Sequence, residues 1–179
     1  MGAVLGADGS RATVRDCTSS SSTPHASSTG YFGGLVGYAA YTDISNCTNT
    51  SNIGGSAVGG IVSMASSTTV KSSTIENCTV TFNSQCGGVA NGSNNAYNEF
   101  SGNFVRNVTF VNSSTSSMAS NFGAIARNPV QATVVANNGI SGSFKDGSSA
   151  TAVAFSETYH PYAATTTYTE STPNYVIGD

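Results

Sequence analysis

Charge is the scarcest ingredient of this sequence. Only 8% of its 179 residues are Asp, Glu, Lys or Arg, where a soluble domain averages about 25%. Six Lys and Arg, none in a run, and a formal net charge of −3 leave no basic stripe for a nucleic-acid backbone. Long apolar runs are missing too; none approaches the roughly 18 residues of a membrane-spanning helix. No C-x-x-C pair occurs, and His25 and His160 stand alone, so neither a metal nor a cofactor is expected. There is no G-x-S-x-G elbow. Helical 3.6-residue periodicity of useful length is absent as well.

What replaces these features is Ser, Thr, Asn and Gly, arranged as an internal repeat. One phrase is Gly-rich: Phe32-Gly33-Gly34-Leu35-Val36, then Val58-Gly59-Gly60-Ile61-Val62, Cys86-Gly87-Gly88-Val89-Ala90 and Phe122-Gly123-Ala124-Ile125-Ala126, with Gly2-Ala3-Val4-Leu5 as an upstream copy. The other holds Asn and Cys: Val14-Arg15-Asp16-Cys17-Thr18, Ile44-Ser45-Asn46-Cys47-Thr48, Ile75-Glu76-Asn77-Cys78-Thr79 and Val105-Arg106-Asn107-Val108-Thr109. Its third-last position steps from 16 to 46 to 77 to 107, intervals of 30, 31 and 30. Short β-branched segments broken by Gly, Asn and Ser, too far apart for hairpins, read as strands of a repeat solenoid. The expected fold is all-β: a single-stranded parallel β-helix of about five rungs, each of ~30 residues, right-handed by the rule for parallel crossovers. Residues 1–147 are assigned to the array. Residues 148–179, with four tyrosines and two prolines, are assigned to a cap or last rung that covers the open end.

Equal spacing implies columns. Val14, Ile44, Ile75 and Val105 are expected as one inward aliphatic ladder, and Cys17, Cys47 and Cys78, followed by Val108, as a second. Free thiols fit such an interior. Asp16, Asn46, Asn77 and Asn107 are expected at a bend, with stacked amides that would be closed to glycosylation. The paired glycines mark another bend where a side chain would crowd the neighbouring rung, and residues 91–102 read as an Asn/Ser-rich loop. Thr18, Thr48, Thr79 and Thr109, with Thr50 and Thr81, form an outward hydroxyl array, the minor reading of which is ice binding. Asp43 and Glu76 fall in different columns, and Glu76 shares its own with Arg106. No pair of acids therefore converges as glycan cleavage requires, and a non-enzyme is expected. Tyr38, Tyr41 and Tyr97 are the candidate ligand-facing aromatics.

The phrases GGLVG at 33–37 and GGIV at 59–62, alternating with ISNCTNT and IENCTV, resemble the GLUG-type repeats of bacterial surface proteins. The resemblance covers residues 2–126 and is closest from Gly33 to Thr79; Ser63 departs from it where the closing glycine would stand. It implies export to the cell surface or medium, β-solenoid structure, and a role as adhesin, stalk or display module. Host or environmental glycans or matrix proteins are the implied partners, with self-association a further expectation, and no catalytic motif comes with it. A glycan-active β-helix enzyme or its accessory binding module is the alternative. The opening Met1-Gly2-Ala3-Val4-Leu5 lacks a basic n-region and a cleavage site. Since Gly2 already sits in repeat register, the chain reads as a piece of a longer protein with its export signal upstream.

Overall fold

The computed structural model describes residues 4–5, 11–21, 25–93, 97–117, 121–127, 133–147, 150–155 and 175–176. It is an all-β solenoid of about four turns, and no α-helix occurs among the described residues. Each coil runs through three parallel sheets. Sheet A stacks β1 (Val4–Leu5), β5 (Val36–Ala40), β9 (Val62–Ser66) and β13 (Ala90–Ser93). Sheet B stacks β2 (Ala12–Arg15), β6 (Thr42–Ser45), β10 (Thr69–Lys71), β14 (Asn98–Ser101) and β17 (Thr133–Ala136). Sheet C has two arms. One holds β3 (Thr18–Ser19), β7 (Thr48–Asn49) and β11 (Thr74–Glu76); the other holds β4 (His25–Gly33), β8 (Ile53–Gly59) and β12 (Thr79–Gly87). Both arms meet on the long β15 (Phe104–Asn112), and β16 (Phe122–Gly123) pairs with the far end of β12.

The paired glycines form the seam between sheets C and A, in the expected register. Phe32, Val58, Cys86 and Phe122 lie level with one another, as do Val36, Val62, Ala90 and Ala126. A Cβ on Gly60 would stand 2.0 Å from the Gly88 carbonyl oxygen, and one on Gly88 would stand 1.8 Å from that of Ala124. Close approach of coil to coil is what demands glycine here. The upstream copy does not share this register, because Val4 pairs with Ala39 and not at the level of Leu35.

Along the seam the coils measure 26, 28 and 36 residues, from Phe32 to Val58 to Cys86 to Phe122. They are not uniform thirties. This shift corrects the column assignments. Val14 lies opposite Ile44 as expected, but Ile44 continues to Val70, Phe100 and Val135. Ile75 lies opposite Val105, and the residue beneath Ile75 is Asn49. The single aliphatic ladder is therefore two ladders on different walls. Residues 91–102 also depart from expectation: most of them are strands β13 and β14, in register with their neighbours. Of the eight residues by which that coil exceeds the one before, two fall between Ser93 and Asn98 and six between Phe110 and Phe122. In the second stretch a Ser-rich turn is held by Asn112, which donates to the Ser116 carbonyl at 2.7 Å and to Asp146 at 2.9 Å.

The core is aliphatic in the early coils and aromatic later. Phe82, Phe122 and Phe144 stack with centroids 4.5 to 6.2 Å apart, and Phe110 tilts against Phe122 at 4.9 Å. Phe144 belongs to β18 (Gly139–Asp146), to which β19 (Val153–Ala154) adds antiparallel and β20 (Tyr175–Val176) parallel. Phe155 follows β19 and lies 6.1 Å from the Phe110 ring. The other tyrosines assigned to the cap, and its boundary at 148, lie outside the described residues. At the opposite end Val14, Phe32 and Leu35 are only partly buried, whereas their counterparts Ile44, Val58 and Ile61 are fully buried.

Candidate functional site

Two kinds of corner solve the same local problem in the same way. The corner between sheets B and C needs a left-handed residue, supplied by Asp16, Asn46, Ser72, Gly102 and Asn137, with φ between 50° and 63°. The corner inside sheet C uses Asn77 and Asn107, with φ of 52° and 49°. Asn and Asp adopt this conformation at low cost. So Asn46 belongs to one corner and Asn77 and Asn107 to the other; only the latter two touch, Asn107 Nδ2 donating to Asn77 Oδ1 at 3.1 Å. All three are exposed, contrary to the closed inner ladder expected of them.

The cysteine column divides in the same way. Successive residues after the B–C corner are Cys17, Cys47, Ser73, Asn103 and Asn138, each of the first four accepting at its carbonyl from the coil above. Cys78 stands at the other corner, beneath Val108. The buried polar ladder that the sequence reading missed is here: Cys47 N–H donates to Ser73 Oγ at 3.2 Å, Ser73 N–H to Asn103 Oδ1 at 3.0 Å, and Asn103 N–H to Asn138 Oδ1 at 2.9 Å. The threonines split likewise, with Thr48 opposite Thr18 and Thr74, and Thr79 opposite Thr109, so the hydroxyl array is two short rows.

All four cysteines are free. Burial pushes the Cys78 thiol up to about 12, with Glu76 adding to the effect, and pushes Cys86 well above the ordinary value. Burial also raises Cys47. Cys17 alone is exposed. Since the thiolate is the reactive form, a thiol reagent such as DTNB at neutral pH is expected to modify one cysteine quickly in the native protein. All four should react after denaturation, and Cys17→Ser should abolish the fast phase.

The outer face of sheet B gathers most of the side chains that carry chemistry. Period-two alternation turns every second residue outward, giving the rows Arg11, Thr13, Arg15; Tyr41, Asp43, Ser45; Ser67, Thr69, Lys71; and Tyr97, Glu99, Ser101. Arg11 Nε donates to both oxygens of Asp43 at 2.9 Å, and Thr69 donates to the same carboxylate. Lys71 pairs with Glu99 at 2.8 Å, and Glu99 also accepts from Ser101 at 2.8 Å and from the Tyr97 hydroxyl at 3.4 Å. Glu99 was not singled out in the sequence because the thirty-residue register hides that it shares a column with Asp43. The Arg11 hydrogen bond pulls the Asp43 carboxyl below its usual range, outweighing partial burial. Partial burial pushes Glu99 up, but Lys71 and Ser101 together hold it below its ordinary value. Both acids are thus anionic at neutral pH.

Tyr41 and Tyr97 each stand two places before those acids, at the corner between sheets A and B, and are 56% and 54% exposed. Tyr38 is separate: it lies on sheet A opposite Met64 and is half-buried. Glu76 is level with Arg106, whose guanidinium lies 4.4 Å from the centroid of the Phe104 ring. A shallow depression of about 300 Å³ on sheet C is lined by Asn107, Thr109, Ser141, Gly142 and Ser143, none of them an acid or a base. No cluster of three metal-ligating side chains occurs among the described residues.

The Arg11–Asp43 pair is about 40% exposed on each side, so its contribution is about 0–1 kcal/mol. Because the Asp43 pKa is lowered in the folded state, that contribution is present above the unfolded-state pKa and fades as pH falls through the folded one. Arg11→Met is therefore expected to unfold slightly earlier than wild type in urea at pH 7. The gap should close as the pH is taken below ~4.

Residues 28–53 match the family model described as the GLUG motif. The match runs from β4 through the glycine seam, β5, β6 and β7 to the first residue of β8, one full coil. No curated protein and no solved structure matches the chain significantly.

Proposed function

With a GLUG-motif coil stacked into a parallel β-solenoid as the premise, we propose that this chain is a non-catalytic display module of an exported bacterial surface or secreted protein. It serves as an adhesin or stalk segment that presents the outer face of sheet B. The observation that carries this reading is the state of that face: both carboxylates are tied to cations and anionic, while two tyrosines beside them remain open to solvent. A general acid for glycan cleavage must hold a proton near neutral pH, which requires its pKa to be raised. Asp43 and Glu99 are shifted the other way. Partners on this reading are glycans or matrix proteins outside the cell.

The alternative of a glycan-active enzyme draws on one feature, that Asp43 and Glu99 share a column two coils apart, about 9.6 Å by strand spacing. Incubation with a polysaccharide panel followed by a reducing-end assay separates the readings. No release of new ends is expected. Release by the wild type that is lost in Glu99→Gln would overturn the non-catalytic reading. Retention on immobilised glycans or matrix proteins, with the protein recovered from the surface or medium fraction of its source cells, is the positive result.

A further inference from the structure

The two exposed tyrosines of the A–B corner are not scattered. Tyr41, Ser67 and Tyr97 each precede by two the register partners Asp43, Thr69 and Glu99. Counted from those partners they fall in one column parallel to the solenoid axis, in the order tyrosine, serine, tyrosine. Tyr41 and Ser67 are left-handed there, with φ of 48° and 47°, while Tyr97 is not, and its hydroxyl turns to Glu99 at 3.4 Å. Two interstrand steps put the tyrosine positions about 9.6 Å apart. Beside them runs a strip of hydrogen-bonding groups: Asp43, Thr69, Lys71, Glu99 and Ser101. Each carboxylate on the strip is already matched by a cation, Arg11 or Lys71, so the strip offers hydrogen bonds with little net charge.

Resting on the display reading above, we propose that this corner binds a linear, neutral, β-1,4-linked hexopyranose chain lying along the solenoid axis. A pyranose with equatorial substituents has a flat C–H face and a rim of hydroxyls, which suits an aromatic ring flanked by polar side chains. In an extended β-1,4 chain each ring is turned over relative to the last. Rings one and three present the same face, at the separation of the two tyrosines, while ring two passes over Ser67. An α-1,4 chain curls and does not keep that alignment. Matched ion pairs on the strip favour neutral sugars over polyuronates, whose carboxylates would meet Asp43 and Glu99. The pairing also fixes a minimum length, since a disaccharide reaches only one tyrosine.

The test is isothermal titration of the intact chain with cello- and chito-oligosaccharides of two to six units, with maltohexaose as the α-linked comparison. The proposal expects an affinity rise of about tenfold or more between the disaccharide and the trisaccharide in one of the β-linked series. Tyr41→Ala and Tyr97→Ala should each return the longer ligands to the disaccharide level. Tyr31→Ala, equally exposed but on sheet C, should leave them unchanged, with far-UV circular dichroism confirming that all three variants fold. Equal affinity for two and three units, equal binding of maltohexaose, or binding that survives the Tyr41→Ala/Tyr97→Ala double variant would overturn it. Absence of binding to every oligosaccharide would overturn it as well. Retention on matrix proteins in that last case would leave the display reading standing, so the two failures are separable.

Discussion

Gly60→Ala is expected to lower the unfolding midpoint by about 6–12 °C, from a loss of about 3 kcal/mol or more. Two effects compete in any Gly→Ala change. Alanine restricts the unfolded chain and so stabilises by about 0.4–1 kcal/mol where the native site accepts it. At Gly60 the new methyl would stand 2.0 Å from the Gly88 carbonyl oxygen and 2.5 Å from Ile75 Cδ1. The isoleucine tip can turn aside, but the carbonyl belongs to the next coil and cannot move without opening the seam. The clash wins. Gly37→Ala is the control, since its nearest contact is the Tyr31 carbonyl oxygen at 3.3 Å, and its midpoint should stay within a few degrees of wild type. Thermal melts followed by far-UV circular dichroism would decide it; a Gly60→Ala protein as stable as Gly37→Ala would mean that the coils do not press together as described.

Asn103→Ala should cost a comparable amount for a different reason. The Asn103 side chain accepts from Ser73 N–H at 3.0 Å and donates from Nδ2 to the Val70 carbonyl at 2.9 Å and to Asn138 Oδ1 at 3.0 Å. It is fully buried. Removing it leaves the Ser73 N–H without a partner in the interior, a penalty of about 1–3 kcal/mol before the small cavity is counted. Asn103→Asp keeps the acceptor but replaces the donor with an oxygen aimed at two other oxygens, so it should be no better than alanine at neutral pH. Asn77→Gly, at the exposed corner, keeps the left-handed backbone at φ 52°, loses one surface hydrogen bond with Asn107 and should fall by less than about 1 kcal/mol. Chemical denaturation of the three variants side by side tests the ranking. Equal stability of Asn103→Ala and Asn77→Gly would remove the interior ladder from the account of what holds the coils in register.

The parallel β-solenoid and its glycine seam were legible in the sequence because that seam is a steric requirement. A Cβ on Gly33, Gly59 or Gly87 would stand 1.8 to 1.9 Å from the carbonyl oxygen three residues further on, where the chain turns, so the phrase marks one place in every coil. The Asn-Cys phrase misled for the opposite reason. Its left-handed residue followed by a small inward side chain meets the needs of two different corners, and Ile44 to Thr48 serves one while Ile75 to Thr79 serves the other. A 26-residue coil with that change of corner mimics a repeat of 31. The pairing of Cys47 with Cys78, and of Ile44 with Ile75, fails at this step. So does the search for paired acids: only the true register brings Glu99 into line with Asp43. Asn103 went unnoticed because its lower neighbours in the column are Ser73 and Cys47, chemically unlike it yet placed to do the same work. Tyr41 and Tyr97 were singled out, together with Tyr38, as exposed aromatics. Their alignment depends on the coil length and was not visible without it.

The same seam has a bearing on how such a chain changes length over generations. Val36, Val62 and Ala90 restart each turn at one level, directly after the glycines, so a duplication or deletion whose breakpoints fall there adds or removes a whole turn. The backbone partners above and below are then remade in kind. Breakpoints placed at the Asn-Cys phrases Ile44 to Thr48 and Ile75 to Thr79, which look just as alike in sequence, would splice one corner onto another and shift the inward side chains downstream out of their walls.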